Sequence, residues 1–247
     1  MKPGQTVALG VLAAVLICIP WAARAQSDGY LSSPVKYRLQ YYLGASLGAA
    51  LYPDQSGATA GGLDSMYTAM TPLGPGDFIA SAVAQDQGAL GAKIYGGAWI
   101  TPNVAVEAGW VSLGSIGWSG FSANTTGSFA TGSSGSVVPH AWYESVLVGF
   151  DSYGLRFFAK GGLYEASTNL QASSFNFNTG AGYGPSQTVR NTNGLVGLGI
   201  HTSYGQTAMR LEIEDFINVG ASSSPEPLIP PWRGSVLLIT AGVAYLF

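Results

Sequence analysis

Eight ionisable side chains recur inside apolar segments in which every second residue is polar or small. They are Lys93, Glu107, Arg156, Lys160, His201, Arg210, Glu212 and Glu214. Three carboxylates, four cations and one imidazole in such segments could pair as buried ions, gate a polar path or exchange protons. The chemistry depends on the element that carries them, because a strand directs successive side chains to opposite faces.

Composition narrows the class of protein. Only 9% of the residues are charged, against about 25% in a typical soluble domain. Residues 39–51 and 237–247 nevertheless contain no long apolar run and alternate apolar with polar or small residues. Such alternation predicts strands with two different faces. It is typical of closed barrels in a membrane, because lipid cannot satisfy an open strand edge.

The same alternation predicts eight strands. They fall at residues 39–51, 89–100, 104–114, 140–150, 155–165, 192–202, 207–217 and 237–247. Three short turns alternate with four long segments that are rich in Gly, Ser, Thr, Asn and Pro, at residues 52–88, 115–139, 166–191 and 218–234. The predicted fold is all-β: a transmembrane, eight-stranded, antiparallel, up-and-down β-barrel with short periplasmic turns and long extracellular loops.

The N-terminus carries the pattern of an export signal. Lys2 precedes an apolar run at residues 7–19, and small residues flank the arginine at positions 23–25, as a signal peptidase requires. We therefore expect residues 1–25 to be a cleaved signal peptide and residues 26–247 to form one barrel domain. The expected location is the bacterial outer membrane.

The single cysteine, Cys18, lies within that apolar run. A lipoprotein site there is the alternative, but the bulky Ile17 stands where such sites have a small residue. Loss of Cys18 with the signal peptide would leave no thiol for a disulfide or a metal. The four aspartates of the first long segment match the spacing of no calcium loop: Asp54, Asp64, Asp77 and Asp86. We expect neither a metal nor a cofactor.

One position conflicts with the predicted register. Glu144 shares a face with Trp142, Val146, Val148 and Phe150. A carboxylate near the middle of the lipid face would be unfavourable, although less so than the roughly 2–4 kcal/mol of Arg or Lys. Either Glu144 lies at the outer rim or a bulge shifts the strand.

Several short motifs, in order along the chain, resemble the OmpA-like eight-stranded outer-membrane barrel family. The segments are KIYGG at 93–97, VEAGW at 106–110, FAKGGLY at 158–164, GLGIH at 197–201, RLEI at 210–213, NVG at 218–220 and GVAYLF at 242–247. The resemblance covers nearly all of the chain after residue 25. We expect the barrel domain alone, without the C-terminal peptidoglycan-binding domain of the longer members of that family.

Side chains alternate between the two faces of each predicted strand, and this alternation places the eight ionisable side chains in the lumen. The lumen of an eight-stranded barrel is just wide enough for side chains to fill. The prediction we favour is a salt-bridged core that stabilises the barrel. The alternative is a gate in a narrow conductive path, with Glu107 and Arg210 as its central pair. The family resemblance implies an acidic and a basic residue at these two positions. It also implies a Glu where His201 stands, and a proton-sensitive variant through His201 is a further hypothesis.

An enzymatic alternative starts from His201 and Ser203, whose spacing resembles that of a lipid A deacylase family. Two residues of that kind could serve as base and nucleophile. His201 precedes a short periplasmic turn, however, whereas lipid A lies in the outer leaflet. We therefore expect no enzymatic activity.

The predicted role is non-enzymatic: a structural protein of the envelope whose loops contact host or environment. The alternative is a small porin-like channel, or a carrier of small or apolar solutes. Expected partners are outer-membrane lipid and lipopolysaccharide, the barrel-assembly machinery through Tyr245 and Phe247 of the C-terminal strand, and a surface ligand of the loops. The net charge of −3 argues against nucleic acid. We expect a monomer.

Overall fold

A computed structural model describes residues 39–221 and 229–247 of the chain. The predicted signal peptide at residues 1–25 lies outside the described residues. Within them the structure has one helix, α1 (Ser56–Met70), and eleven strands: β1 (Gln40–Leu51), β2 (Ile79–Gln85), β3 (Gly88–Trp99), β4 (Val104–Ser112), β5 (Ile116–Asn124), β6 (Ala130–Ser152), β7 (Leu155–Asn176), β8 (Gly182–Tyr183), β9 (Ser186–Tyr204), β10 (Thr207–Ala221) and β11 (Trp232–Leu246).

Eight of these strands close a hydrogen-bonded ring in the order β1, β3, β4, β6, β7, β9, β10 and β11. Every neighbouring pair is antiparallel, and β11 returns to β1 with Leu43 opposite Tyr245. The ring confirms the predicted eight-stranded, up-and-down barrel. Closure satisfies both edges of each strand, as a strand in lipid requires.

Inward-facing glycines make room for large aromatic side chains from neighbouring strands. A Cβ added at Gly44 would lie 2.6 Å from Cζ of Tyr95, and a Cβ at Gly199 would overlap the ring of Phe158. Both rings are buried. The aromatic side chains therefore fill the space that the small residues leave on the inner face, which keeps the narrow barrel closely packed.

The long extracellular segments contain more regular structure than the predicted loops. The segment at 52–88 holds α1 and β2, and the segment at 115–139 holds β5 and the first part of β6. β6 and β7 run for 23 and 22 residues, about twice their predicted lengths. β2, β5 and the extracellular parts of β6, β7 and β9 together form an open sheet above the ring. We call this sheet the upper wall.

Helix α1 packs on the inner face of the upper wall, mainly against β2. Its buried residues Leu63 and Tyr67 form a small core with Ile79 and Phe129, and the Tyr67 hydroxyl lies 2.8 Å from Oγ of Ser133. Among the described residues, no helix is long and apolar enough to cross a membrane.

Glu144 lies on the outer face of β6 without a register shift. Residues 131–152 of β6 pair continuously with β7, and residues 140–148 pair continuously with β4. β6 therefore has no bulge at Glu144. Glu144 lies one outward position below Trp142, so that it is close to the extracellular end of the outer apolar face.

Candidate functional site

Four strands of the ring direct six charged side chains into the lumen. Lys93 lies on β3, Glu107 on β4 and Lys160 on β7, while β10 contributes three alternate residues, Arg210, Glu212 and Glu214. Alternate residues of a strand share a face, and each of the six is buried.

These six side chains form a closed ring in which positive and negative groups alternate. Lys93 pairs with Glu212 and lies 2.6 Å from Glu214; Lys160 lies 2.6 Å from Glu214 and 2.7 Å from Glu107. Arg210 completes the circle, 2.5 Å from both Glu107 and Glu212. Every cation thus contacts at least two carboxylates and every carboxylate at least two cations, and Lys160 also lies 3.9 Å from Glu212. We call these residues the charge ring.

Aromatic residues support the charge ring. The phenols of Tyr42 and Tyr143 donate hydrogen bonds to the two oxygens of Glu107, at 3.0 and 2.9 Å. The Tyr143 ring also lies 4.2 Å from Nζ of Lys160, within cation–π range. Arg210 lies between the rings of Tyr95 and Phe158, at 4.7 and 4.6 Å. These aromatic partners were not among the predicted site residues, although their inward parity could have indicated them.

The charge ring fills the lumen at its level. The exposed fraction of its side chains is 5% or less. Three cations and three carboxylates sum to zero charge when all are ionised. Removing one member would leave a buried charge without full compensation, which is strongly destabilising. The arrangement can therefore hold four strands together across the barrel.

The remaining two predicted residues, Arg156 and His201, lie nearer the periplasmic end. Arg156 pairs with Asp151, at 2.5 Å, and lies 4.3 Å from the Trp99 ring. His201 packs between the rings of Trp99 and Phe158 and lines a cavity of about 20 Å³ that Arg210 also borders. The structure thus brings together six of the eight predicted side chains in the charge ring. Arg156 and His201 lie outside that ring, towards the periplasmic end.

His201 and Ser203 share a strand face at this end, but Ser203 is exposed at the periplasmic turn. The nearby carboxylate of Asp151 accepts two hydrogen bonds from Arg156. In the part of the chain that the structure describes, no group of three or more His, Cys, Asp and Glu side chains could hold a metal ion.

The outer face of the ring carries an apolar belt. Leu47, Leu198 and Leu211 are more than half exposed. Aromatic residues border the belt at both ends: Trp110 and Trp142 on the extracellular side, and Tyr41, Phe150, Phe157, Tyr245 and Phe247 on the periplasmic side. An apolar outer band between aromatic girdles is the arrangement that lipid requires.

A closed eight-stranded ring with an apolar belt outside and charges inside defines a transmembrane, eight-stranded β-barrel. Three solved outer-membrane proteins are similar to this chain. Ail, the attachment invasion locus protein of Yersinia pestis, solved with the heparin analogue sucrose octasulfate, is 10% identical, with a TM-score of 0.42 over 84% of this chain and 99% of that chain. The outer membrane protein OprG of Pseudomonas aeruginosa is 8% identical, with a TM-score of 0.43 over 84% and 95%.

The third is the outer membrane protease OmpT of Escherichia coli, which is 11% identical, with a TM-score of 0.39 over 90% of this chain and 100% of that chain. No protein-family model matches the chain, and no curated protein matches it in sequence. The assignment of the fold rests on the strand ring and the belt described above.

Proposed function

We propose that this protein is a non-conducting, non-enzymatic barrel that stabilises the outer membrane and presents its upper wall to host or environment. The observation that carries the proposal is the charge ring, in which each of six buried side chains pairs with at least two side chains of opposite charge. A conducting pore would need water along this level, and six buried ions held by neighbours from opposite strands leave little space for it.

The lumen above the charge ring supports the same role. Leu113, Leu195, Phe216 and Leu238 are fully buried there. Helix α1 packs against β2 and β5 on the extracellular side of this layer, and a Cβ added at Gly62 would lie 3.6 Å from Cβ of Pro230. The helix therefore extends from the upper wall towards the segment before β11. A polar solute would have to cross the apolar layer.

The upper wall offers the surface for contacts. It extends beyond the lipid belt, and its outer face carries exposed aromatic rings: Phe121 and Phe177 have ring centroids 6.2 Å apart, and Phe175 and Phe177 have centroids 5.5 Å apart. Exposed apolar groups of this size often mark interaction sites. Rigid barrels carry variable functions on such extracellular elements.

The proposed absence of enzymatic activity is supported by the region around His201. Its ring is packed between two aromatic rings, and the Asp151 carboxylate beside it is occupied by Arg156. A base for nucleophilic catalysis needs a carboxylate or carbonyl to orient it and a hydroxyl within hydrogen-bond reach.

Export and assembly form part of the proposal. The signal peptide at residues 1–25 would direct the chain to the periplasm, and the C-terminal strand would contact the barrel-assembly machinery. Tyr245 and Phe247 lie on the outer face, 45% and 67% exposed, with their ring centroids 5.0 Å apart. Such an exposed aromatic pair is available to another protein before lipid covers it.

Ion conductance of the refolded protein in a planar bilayer tests the proposal. We expect the wild type to show no discrete openings, whereas the double variant Glu107→Ala/Arg210→Ala, which removes one ion of each sign, should pass small ions if it remains folded. The variant Val106→Ala/Leu211→Ala alters the neighbouring outward positions of the same strands and should stay silent. Discrete openings of the wild type would overturn the proposal in favour of a channel.

A further inference from the structure

Three exposed phenyl rings stand in a row across the outer face of the upper wall. Phe121 of β5 lies opposite Gly132 of β6, and Gly132 lies opposite Phe175 of β7. Phe177, just beyond β7, places its ring over Gly132, where an added Cβ would lie 3.2 Å from Cζ of Phe177. The three rings are between 48% and 60% exposed. We call them the phenyl row.

The phenyl row is held in place by its surroundings. The Phe177 amide donates a hydrogen bond to the Ala130 carbonyl oxygen at 2.9 Å, and the Ala130 amide donates one to Oδ1 of Asn178 at 2.8 Å. The Phe177 ring lies tilted beside that of Phe121 and packs edge to face with that of Phe175. A row fixed in this way loses little entropy when a ligand packs against it.

A row of hydroxyl groups lies next to the phenyl row, on its membrane side and on the same three strands. Ser119 of β5 lies opposite Ser134 of β6, which lies opposite Ser173 of β7. All three are exposed, and a hydroxyl group both donates and accepts hydrogen bonds. Nearer the membrane, Ser136 lies opposite Gln171. The outer face therefore presents apolar rings beside uncharged polar groups.

The strands that carry the phenyl row have no charged side chain near it. Residues 116–138 and 166–189 contain no lysine, arginine, aspartate or glutamate. The aspartates at the two ends of β2 already accept hydrogen bonds from residues 117, 124 and 125. A ligand that fits this face has apolar surface and hydroxyl groups but needs no counter-charge. A neutral saccharide has both, because its C–H faces pack on phenyl rings while its hydroxyls bond to serine.

The height of the phenyl row above the lipid belt indicates what surrounds it. Gly132 lies ten residues along β6 from Trp142, which borders the belt. A strand that rises about 3.3 Å per residue and is tilted by about 40° places the row roughly 25 Å above Trp142. Gly132, Ser134 and Trp142 share the outer face of β6, so that the row faces sideways, in the plane of the membrane. Acyl chains do not reach this height, whereas the saccharide chains of lipopolysaccharide do.

We propose that the phenyl row and the adjacent serines bind the neutral saccharide chain of lipopolysaccharide from the surrounding outer leaflet. The sugar rings pack on Phe121 and Phe177, and the sugar hydroxyls bond to Ser119, Ser134 and Ser173. This inference rests on the proposed function, in which the barrel stabilises the outer membrane, and it names a partner and the residues that contact it.

Confinement to one leaflet makes a weak site sufficient. The barrel and lipopolysaccharide are both anchored in the same membrane, and tethering of this kind gives effective concentrations in the millimolar range. A site of millimolar affinity is therefore occupied in the membrane, although the same saccharide free in dilute solution would leave it empty.

A second copy of this protein fits the phenyl row less well than a saccharide. Three rings that are about half exposed offer roughly 300 Å² of apolar surface, whereas a typical stable interface buries about 800 Å² on each partner. The neighbouring serines would face one another across such an interface and would add little apolar contact.

Hydrogen exchange of the refolded full chain in two kinds of vesicle tests the proposal. One kind contains lipopolysaccharide with a long, neutral polysaccharide, and the other contains lipid A alone. We expect the polysaccharide to slow amide exchange about three- to tenfold in residues 119–121, 132–134 and 173–177, because a ligand at several times its dissociation constant stabilises the segments that bind it. Exchange in β1 and β11 should be the same in both vesicles.

Variants of the protein test the phenyl row itself. Phe177→Ala should lose this protection, whereas Phe177→Tyr, which keeps the ring, should retain it. The matched control is Phe78→Ala, which removes an exposed phenyl ring outside the row and should also retain the protection. Equal loss in Phe78→Ala and Phe177→Ala would contradict a specific site. If Phe177→Ala exchanges faster even with lipid A alone, Phe121→Ala replaces it in the comparison.

Dextran and dextran sulfate, added to the vesicles that contain lipid A alone, test the chemistry of the ligand. Dextran should protect the same three segments more than dextran sulfate does. The proposal is overturned if the wild type exchanges equally in both kinds of vesicle, or if dextran sulfate protects better than dextran. Protection that rises with the density of protein in lipid A vesicles, without saccharide, would overturn it in favour of a second copy.

Conductance recorded on the same samples keeps the two proposals separate. A silent barrel that the polysaccharide does not protect contradicts only the saccharide site. A conducting barrel contradicts the proposed function whether or not the polysaccharide protects it.

Discussion

The ring and the upper wall share strands but invert their polarity. Within the membrane-embedded part of β6, Tyr143 and Ser145 face inward while Trp142 and Val148 are exposed outside. Higher on β6 and on its neighbour β7, the inner face carries the buried Val137, Leu170 and Ala172 beside the polar Thr131 and Ser133, whereas the outer face carries Ser134, Ser136 and Gln171. The outer face thus changes from apolar in lipid to largely polar in water, apart from the exposed rings of Phe121, Phe175 and Phe177.

The comparison shows that the surrounding solvent decides which face of the strand is apolar. Lipid accepts apolar side chains and leaves polar groups to pair inside the ring, whereas water accepts the serines and drives apolar groups under α1. The two regions also differ at their edges. The ring must close, because lipid offers no hydrogen bonds, while the upper wall can leave β2 open to water.

The largest effect is expected from Glu107→Ala. This change leaves the charge ring with an excess positive charge and removes the acceptor of Tyr42 and Tyr143. We expect it to lower the free energy of unfolding by about 3–5 kcal/mol, measured by urea-induced unfolding in lipid vesicles. Adding Arg210→Ala restores the balance of charge and should cost less than the two single changes together.

The outward neighbour Val106→Ala provides the control for this measurement. It alters the same strand without touching the charge ring and should change stability by less than 1 kcal/mol. An equal loss in Val106→Ala and Glu107→Ala would mean that the lumen charges do not stabilise the barrel specifically.

A smaller effect, limited to the upper wall, is expected from Leu63→Ala. Leu63 is 1% exposed in the core beneath α1, and removal of such a side chain typically costs 2–5 kcal/mol, here about 2–3 kcal/mol at a site that can collapse. Amide exchange should accelerate in β2 and β5 and remain unchanged in β1 and β11. Met70→Ala, on the exposed side of the same helix, should change neither. Faster exchange throughout the ring would show that the two regions do not unfold separately.

The smallest effect concerns the boundary between the two regions. Glu144 lies below Trp142 on the lipid side of β6, whereas Ser134 lies on the same face in water. Glu144→Leu should stabilise the protein by about 1 kcal/mol, because it removes a carboxylate from the edge of the belt. Ser134→Leu should stay within about 0.5 kcal/mol of the wild type. If both changes raise the free energy of unfolding equally, the boundary between lipid and water lies above Ser134.

Much of the ring could be predicted from residue alternation. In residues 39–51 the period is unbroken, and the observed β1 covers nearly all of that range. The same alternation was also sufficient to predict which single residues face the lumen, such as Glu107 on β4. It could not indicate that six charges close into one ring, because that depends on the relative registers of β3, β4, β7 and β10.

Residue alternation does not predict the strands of the upper wall, for identifiable physical reasons. β5, with the sequence IGWSGFSAN, contains residues of low strand propensity and is stabilised by pairing on both sides with β2 and β6. Helix α1 contains Gly57, Gly61 and Gly62 and has no side-chain cap, so that local signals do not favour a helix. Its position follows from the burial of Leu63 and Tyr67 against distant strands.

The charge ring also bears on how the barrel folds. Its members on β3 and β4 come from the first half of the chain, and three of the remaining four lie on β10, near the C-terminus. No partial set of strands neutralises all six groups. An incomplete barrel would therefore keep unpaired ions in its interior and gain their stabilisation only when the last strands arrive. We therefore expect the charge ring to make barrel formation cooperative, because its members come from both halves of the chain.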